Sequence, residues 1–178
     1  MKKGAIVFKG KYGATRQYAH WLGHELDLPC LDDQITNETL QDFDFIILGS
    51  SVYYGKLLLR PFLIKHTKIL ESKKIFIFID CATPDSDEKE QRRILRENIP
   101  KTLLKKDNTF FLPGKLAIHH LNLFDRTMLR IATIFEKKPE RKNVMTNGID
   151  AVSKDNLIDL FIAIKGYMMA GKQQNLNI

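Results

Sequence analysis

Lys9-Gly10-Lys11-Tyr12-Gly13-Ala14-Thr15 joins an apolar run, Ala5-Ile6-Val7-Phe8, to a helix-period segment that begins near Arg16. A first strand that ends in a glycine-bearing turn and feeds a helix N-terminus is built as a phosphate cradle. Backbone N–H groups converge there, the helix dipole adds positive character, and glycine lets the chain close around an oxyanion. Thr15 can turn its hydroxyl to the same point, and Lys9 and Lys11 add full charges. The turn lacks both the Gly-Lys-Ser/Thr ending of a P-loop and the three-glycine spacing of a dinucleotide fold. It equally suits an ordinary left-handed connection with no ligand, and the loop alone leaves both readings open.

Outward from that turn, strand and helix patterns alternate. Strands are expected over 3–8, weakly over 28–34, over 44–49, over 74–80 and over 108–112. The runs Asp44-Phe45-Ile46-Ile47-Leu48-Gly49 and Lys74-Ile75-Phe76-Ile77-Phe78-Ile79-Asp80 are apolar at nearly every position, the mark of strands buried on both faces of a parallel sheet. Helices are expected over 14–26, over 58–70 with Pro61 in the first turn, over 87–98, over 121–136 and over 154–169. Pro113-Gly114 puts the fifth strand at a sheet edge. This alternation implies crossover connections and an α/β fold, a doubly wound parallel sheet with helices on both faces. The expected organisation is one domain over 1–170, with an insertion about 115–142 and a frayed tail over 171–178.

In such a fold the ligand sits outside the carboxyl ends of the strands. Three loops then converge. The second, Gly49-Ser50-Ser51-Val52-Tyr53-Tyr54-Gly55, combines small residues with two tyrosines that can stack on a flat ring. The third, Asp80-Cys81-Ala82-Thr83-Pro84, offers backbone amides, a thiol and a hydroxyl. Phosphate at the first loop and a planar heterocycle between the others describes a mononucleotide. Cys81 reads as a buried small thiol at a strand end. His66 reads as solvated or as a dipole partner at a helix end. His119 and His120, adjacent on a helix, point about 100° apart and are not expected to chelate a metal.

The chain has 178 residues, 44% of them hydrophobic, with 28 Lys and Arg against 21 Asp and Glu for a net charge of +7. No run reaches the ~18 apolar residues of a membrane span, and no signal peptide is read at the start. Two separated cysteines, Cys30 and Cys81, fit a reducing cytoplasm. The positive balance favours anionic partners; a nucleic acid is not among them, since no signature beyond charge points there.

The chain resembles the flavodoxin-like family, and within it the menaquinone-dependent protoporphyrinogen IX dehydrogenases. The resemblance runs thinly over nearly the whole length. It is strongest at the opening strand and turn through Gly13, Thr15 and Arg16, at Gly49-Ser50-Ser51-Val52 with Tyr54-Gly55, at Lys65-His66, and from Pro113-Gly114-Lys115-Leu116 to Phe124-Asp125-Arg126-Thr127-Met128. It implies five strands in the order 2-1-3-4-5, one FMN held non-covalently, and electron transfer from a porphyrinogen to a membrane quinone. The cofactor would be bound by Lys9, Gly10, Lys11, Tyr12, Gly13, Ala14, Thr15, Ser50, Ser51, Val52, Tyr53, Tyr54, Gly55, Cys81, Ala82 and Thr83. Tyr54, then Tyr53, would meet the ring face, and the neighbourhood of Thr83 its pyrimidine edge. The family's phosphate loop follows Ser/Thr-x-Thr-Gly-x-Thr; here Gly10 and Tyr12 replace two hydroxyl positions. Each charge-assisted hydrogen bond lost removes about 1.5–3 kcal/mol, which Lys9 would partly restore.

The segment after the fifth strand separates the alternatives: an FMN-dependent oxidoreductase, an electron carrier with no substrate of its own, and a flavodoxin fold without flavin. Leu121, Phe124, Met128, Ile131 and Phe135 share one side of its helix, with Asp125, Arg126, Arg130 and Thr133 elsewhere and Lys137, Lys138, Arg141 and Lys142 following. The apolar side is expected to pack on the sheet, with an anionic bilayer as the alternative that would place the protein at the membrane's inner face. Net +7 argues against an acidic shuttle flavodoxin.

Overall fold

A computed structural model describes residues 2–81, 88–105 and 107–173. Five strands form the central parallel sheet: β1 (Gly4–Lys9), β2 (Cys30–Leu31), β3 (Phe45–Tyr53), β5 (Lys74–Cys81) and β6 (Thr109–Pro113), in the order β2-β1-β3-β5-β6. A short antiparallel strand, β4 (Lys56–Leu57), pairs with the end of β3. Counting the parallel strands alone, the order is the expected 2-1-3-4-5. Register runs Ile6 opposite Ile47 and Ile47 opposite Phe76, and β6 is the edge.

Alternate residues of these apolar runs face opposite sides, as a period of two requires. Val7, Ile46, Leu48 and Ile77 pack under α2 (Asn37–Gln41), α3 (Arg60–Lys65), α4 (Thr67–Glu71) and α5 (Glu88–Asn98). Ile6, Phe45, Ile47 and Phe76 pack under α1 (Ala14–Leu26) and α8 (Ile158–Gln173). Close approach is built in at Gly49, where an added Cβ would lie 2.2 Å from the Phe78 ring.

Five expectations need correction. The helix over 58–70 is two helices, α3 and α4, broken at His66. That residue is not solvated: it is buried, and its Nδ1 lies 2.6 Å from Asn37 Oδ1. Burial, and then Lys65, lower its pKa. Residues 50–56 are no open loop but the end of β3 and a hairpin. Its two-residue turn, Tyr54-Gly55, has φ of 48° and 74°, the left-handed pair that matches strand twist. At the other end α8 continues through Gln173, so 171–173 are helical rather than frayed.

The fifth concerns the segment after β6. It leaves through β7 (Lys115–Leu116), forms α6 (Leu123–Phe135) and α7 (Pro139–Asn147), and returns through β8 (Ile149–Asp150), which pairs antiparallel with β7. The apolar side of α6 does not pack on the sheet. Phe124 is 65% exposed and Phe135 76%, and Leu123 and Ile134 are likewise exposed. The helix is turned by Asp125, which is only 4% exposed and is drawn inward by donors on two loops. With Asp125 inward, Phe124 lies about 100° round the helix from it, on the side that is exposed.

Candidate functional site

At the carboxyl ends of β1, β3 and β5 lies a cavity of about 280 Å³. Its floor is Asp80, Cys81 and Ser51; its walls are Lys11, Tyr12 and the Tyr53-Tyr54-Gly55 hairpin; its roof comes from the excursion of chain between β7 and β8, which carries α6 and α7. Asp125, Leu129 and Ala132 face it from α6, and Arg141, Val144 and Met145 from α7. These are i, i+4, i+7 and i, i+3, i+4 sets, one stripe of each helix.

The hairpin is fixed from behind. Asn98 on α5 donates to the Gly55 carbonyl at 2.9 Å and accepts from the Leu57 amide at 3.0 Å. Ser50 is structural: its hydroxyl accepts from the Leu59 amide at 3.0 Å, and it does not line the cavity. Ser51 differs, since its hydroxyl is buried at the cavity with no hydrogen-bond partner among the described residues.

The first loop divides in the same way. Lys11, Tyr12 and Ala14 line the cavity; Lys9, Gly10, Gly13 and Thr15 do not. Lys9 turns aside to Asp33, 2.5 Å away. The Thr15 hydroxyl donates to Asp80 at 2.5 Å beneath the loop. Gly10 sits directly over that pair, and a Cβ there would come within 2.2 Å of Thr15 Oγ1. Gly13 caps α1 with φ 95°, and no side chain among the described residues caps the helix. The amides of its first turn are therefore left for another acceptor. Cys81, half-buried rather than buried, ends β5 at the cavity floor. Ala82 and Thr83 lie outside the described residues.

Two carboxylates were not anticipated. Asp80 is 4% exposed, and burial, offset in part by the Thr15 hydrogen bond, pushes its pKa up to about 6. Asp125 accepts from Lys11 at 2.8 Å, from Tyr12 and Tyr53, and from Tyr54 at 3.4 Å. Burial opposes its ionisation, but the hydrogen bonds from Lys11, Tyr12 and Tyr53 prevail and hold it at about 2. The same contact raises Lys11, first through Asp125 and then through Tyr53. Burial, then the Asp125 hydrogen bond, raises Tyr12 to about 12. The sequence does show Asp80 at the end of an apolar strand; nothing local marks Asp125, whose partners lie up to 114 residues away.

A flavodoxin domain matches residues 5–143, most of the chain. The chain belongs to the flavodoxin-domain family. Flavodoxin domains typically bind FMN and serve electron transfer. Among solved structures, Trp repressor binding protein from Bacillus subtilis is similar at 11% identity over 63% of this chain and 85% of its own, with a TM-score of 0.46. A flavodoxin from the domain Archaea is similar at 18% identity over 63% of this chain and 83% of its own, with a TM-score of 0.42. No curated protein matches the chain.

Residues of this flavodoxin domain fit a flavin. The unpartnered Ser51 hydroxyl and the uncapped first turn of α1 are donors in need of an acceptor, and Gly13 leaves open space where a Cβ would sit. Tyr53 and Tyr54 offer flat surfaces beside them. Among the described residues no group of His, Cys, Asp and Glu could hold a metal ion, and no helix is long and apolar enough to cross a membrane.

Proposed function

We propose that this flavodoxin-domain protein binds FMN in the cavity and oxidises an organic substrate of the porphyrinogen type, with a quinone as electron acceptor. The observation that carries the reading is the roof. A carrier that only exchanges electrons needs an exposed flavin edge, whereas α6 and α7 enclose space beside the tyrosines with apolar side chains (Leu129, Val144 and Met145). Such a chamber suits a flat, largely apolar substrate and excludes water from it.

FMN, once bound, supplies the one- and two-electron chemistry. The chain's residues do the rest. The first-turn amides of α1 at Ala14, with Lys11 and the Ser51 hydroxyl, would hold the phosphate end, and Tyr53 and Tyr54 would flank the ring. The exposed apolar face of α6, Leu123, Phe124, Ile134 and Phe135, is followed by the exposed lysines 137, 138 and 142. That pairing suits an anionic bilayer, where a quinone is at hand.

Anaerobic mixing of the FMN-loaded protein with protoporphyrinogen tests the reading. Bleaching of the flavin absorbance is the expected result, with one porphyrin formed per three loaded proteins because each flavin takes two of the six electrons, followed by reoxidation on adding a short-chain menaquinone. A flavin that takes electrons from a reductase but never from the porphyrinogen would make the protein a carrier. One observation favours the flavin-free alternative: both loop lysines are already paired with carboxylates. Failure of FMN to quench on titration would select it.

A further inference from the structure

Lys11 is the one cation that the first loop sends into the cavity wall, since Lys9 is turned to Asp33. Its ammonium lies 2.8 Å from Asp125 and 2.8 Å from the Tyr53 hydroxyl. Asp125 belongs to neither loop. It arrives on α6 from the excursion and takes hydrogen bonds from both, through Lys11 and Tyr12 of the first and Tyr53 of the second. One buried carboxylate thus occupies donors that the two loops would otherwise turn to a ligand.

We propose that Asp125 is the specificity-determining residue of this site: an internal anion that competes with a ligand's phosphate for Lys11. It thereby sets how far the cavity favours a phosphorylated flavin over the neutral one.

The inference rests on the flavin reading above, and its physical basis is simple. The charge of Lys11 can be matched by one anion at close range. A phosphate brought into the same enclosed space must displace the carboxylate or suffer its repulsion, and both are felt strongly where water is excluded. Asp125 stays ionised throughout the neutral range because the lysine and tyrosine hydrogen bonds hold it so. The neutral flavin meets no such competition. Asp125→Asn keeps the size of the side chain and an acceptor oxygen for Tyr53, and replaces the oxygen shared by Lys11 and Tyr12 with an uncharged amide that cannot hold the ammonium.

Fluorescence titration of the intact chain with FMN and with riboflavin tests this. In Asp125→Asn, FMN affinity is expected to rise about tenfold, the scale of one charge-assisted hydrogen bond regained, while riboflavin affinity stays within about twofold. Asp125→Glu keeps the charge and should keep the wild-type ratio. Lys11→Ala alone should weaken FMN binding, because it leaves Asp125 uncompensated against the phosphate, and combined with Asp125→Asn it should bring FMN affinity back to about the wild-type value. A fall in both affinities in Asp125→Asn would reduce Asp125 to a packing role and overturn the proposal. So would a gain that survives removal of Lys11. Should no variant bind either flavin, the flavin reading fails on its own. Inorganic phosphate then decides the role of Asp125: a larger phosphate-induced rise in melting temperature in Asp125→Asn supports it, and equal rises refute it.

Discussion

Asp80 ends an apolar strand at the cavity floor, and a carboxyl group there can be satisfied in two ways, by a donor or by a proton. The structure supplies one donor, the Thr15 hydroxyl at 2.5 Å. Burial dominates and lifts the pKa from 3.8 to about 6. The folded chain therefore holds this proton to higher pH than the unfolded chain does. Stability from this group is greatest in acid and falls as pH rises from about 4 through about 6. The two values correspond to about 3 kcal/mol of native-state cost at neutral pH. Asp80→Asn retains an acceptor for Thr15 and is expected to gain about 2–3 kcal/mol at pH 7.5 and almost nothing at pH 4, read by urea unfolding. His66 works in the opposite sense, since its lowered pKa costs stability as pH falls below 6.5. The difference between variant and wild type is thus the measure, not either curve alone. An equal gain at both pH values would assign the effect to packing. At this scale the sequence displays residue types and positions along elements, and Thr15 is legible as a hydroxyl at a helix start. Its target is not, because the partner lies 65 residues away.

At the scale of elements, what is legible is what a local pattern encodes. Continuous apolar runs marked β1, β3 and β5, and the bounds of α1 coincide with the expected 14–26 because a glycine turn precedes it and its buried residues repeat at helical spacing. The break at His66 is hidden by a periodicity that runs on through it. Thr67 offers the local reason, its hydroxyl donating to the Leu63 carbonyl at 2.7 Å and the Ile64 carbonyl at 3.1 Å, in competition with the helix ladder. The facing of α6 is hidden too: amphipathicity says that a helix has an apolar side, not which side a distant lysine will pull inward. Its exposed face makes a direct prediction. Phe124→Ala and Phe135→Ala should each move folding stability by no more than about 0.5 kcal/mol, as surface positions do. Each should weaken binding to phosphatidylglycerol vesicles about tenfold, since inserting a phenylalanine is worth about 1.5–3 kcal/mol. Phosphatidylcholine vesicles should bind less well, because lysines 137, 138 and 142 gain only from anionic lipid, about 1 kcal/mol each. Sedimentation with vesicles reads both. A stability loss above about 2 kcal/mol would instead mean that this face is packed in solution.

For the molecule as a whole, the excursion from β7 to β8 stands apart from the packing that holds the sheet. Neither core cluster draws a residue from positions 114–150; the buried side chains on the α1 side pass directly from Leu112 to Leu157. The two ends meet as an antiparallel pair, Leu116 opposite Ile149, and the Ala151 amide donates to the Gly114 carbonyl at 3.2 Å. Chain that leaves and returns at one place adds closure entropy only slowly with its length. Replacing residues 117–148 with Asn-Gly, a turn that closes a two-residue hairpin, should therefore leave a cooperatively folding protein. Its urea transition should remain single, with stability within about 2 kcal/mol of wild type and a smaller m-value for the surface no longer exposed on unfolding. Loss of a cooperative transition would show that the excursion belongs to the core after all. The binding consequences differ for the two flavins. Without the roof, riboflavin should bind more weakly, having lost the apolar cover of Leu129, Val144 and Met145. FMN loses the same cover but regains Lys11, since Asp125 leaves with the excursion. The ratio of FMN to riboflavin affinity should thus rise in the shortened chain, as in Asp125→Asn, even where both affinities fall. A ratio that stays constant would mean that the excursion closes the site without choosing what enters it.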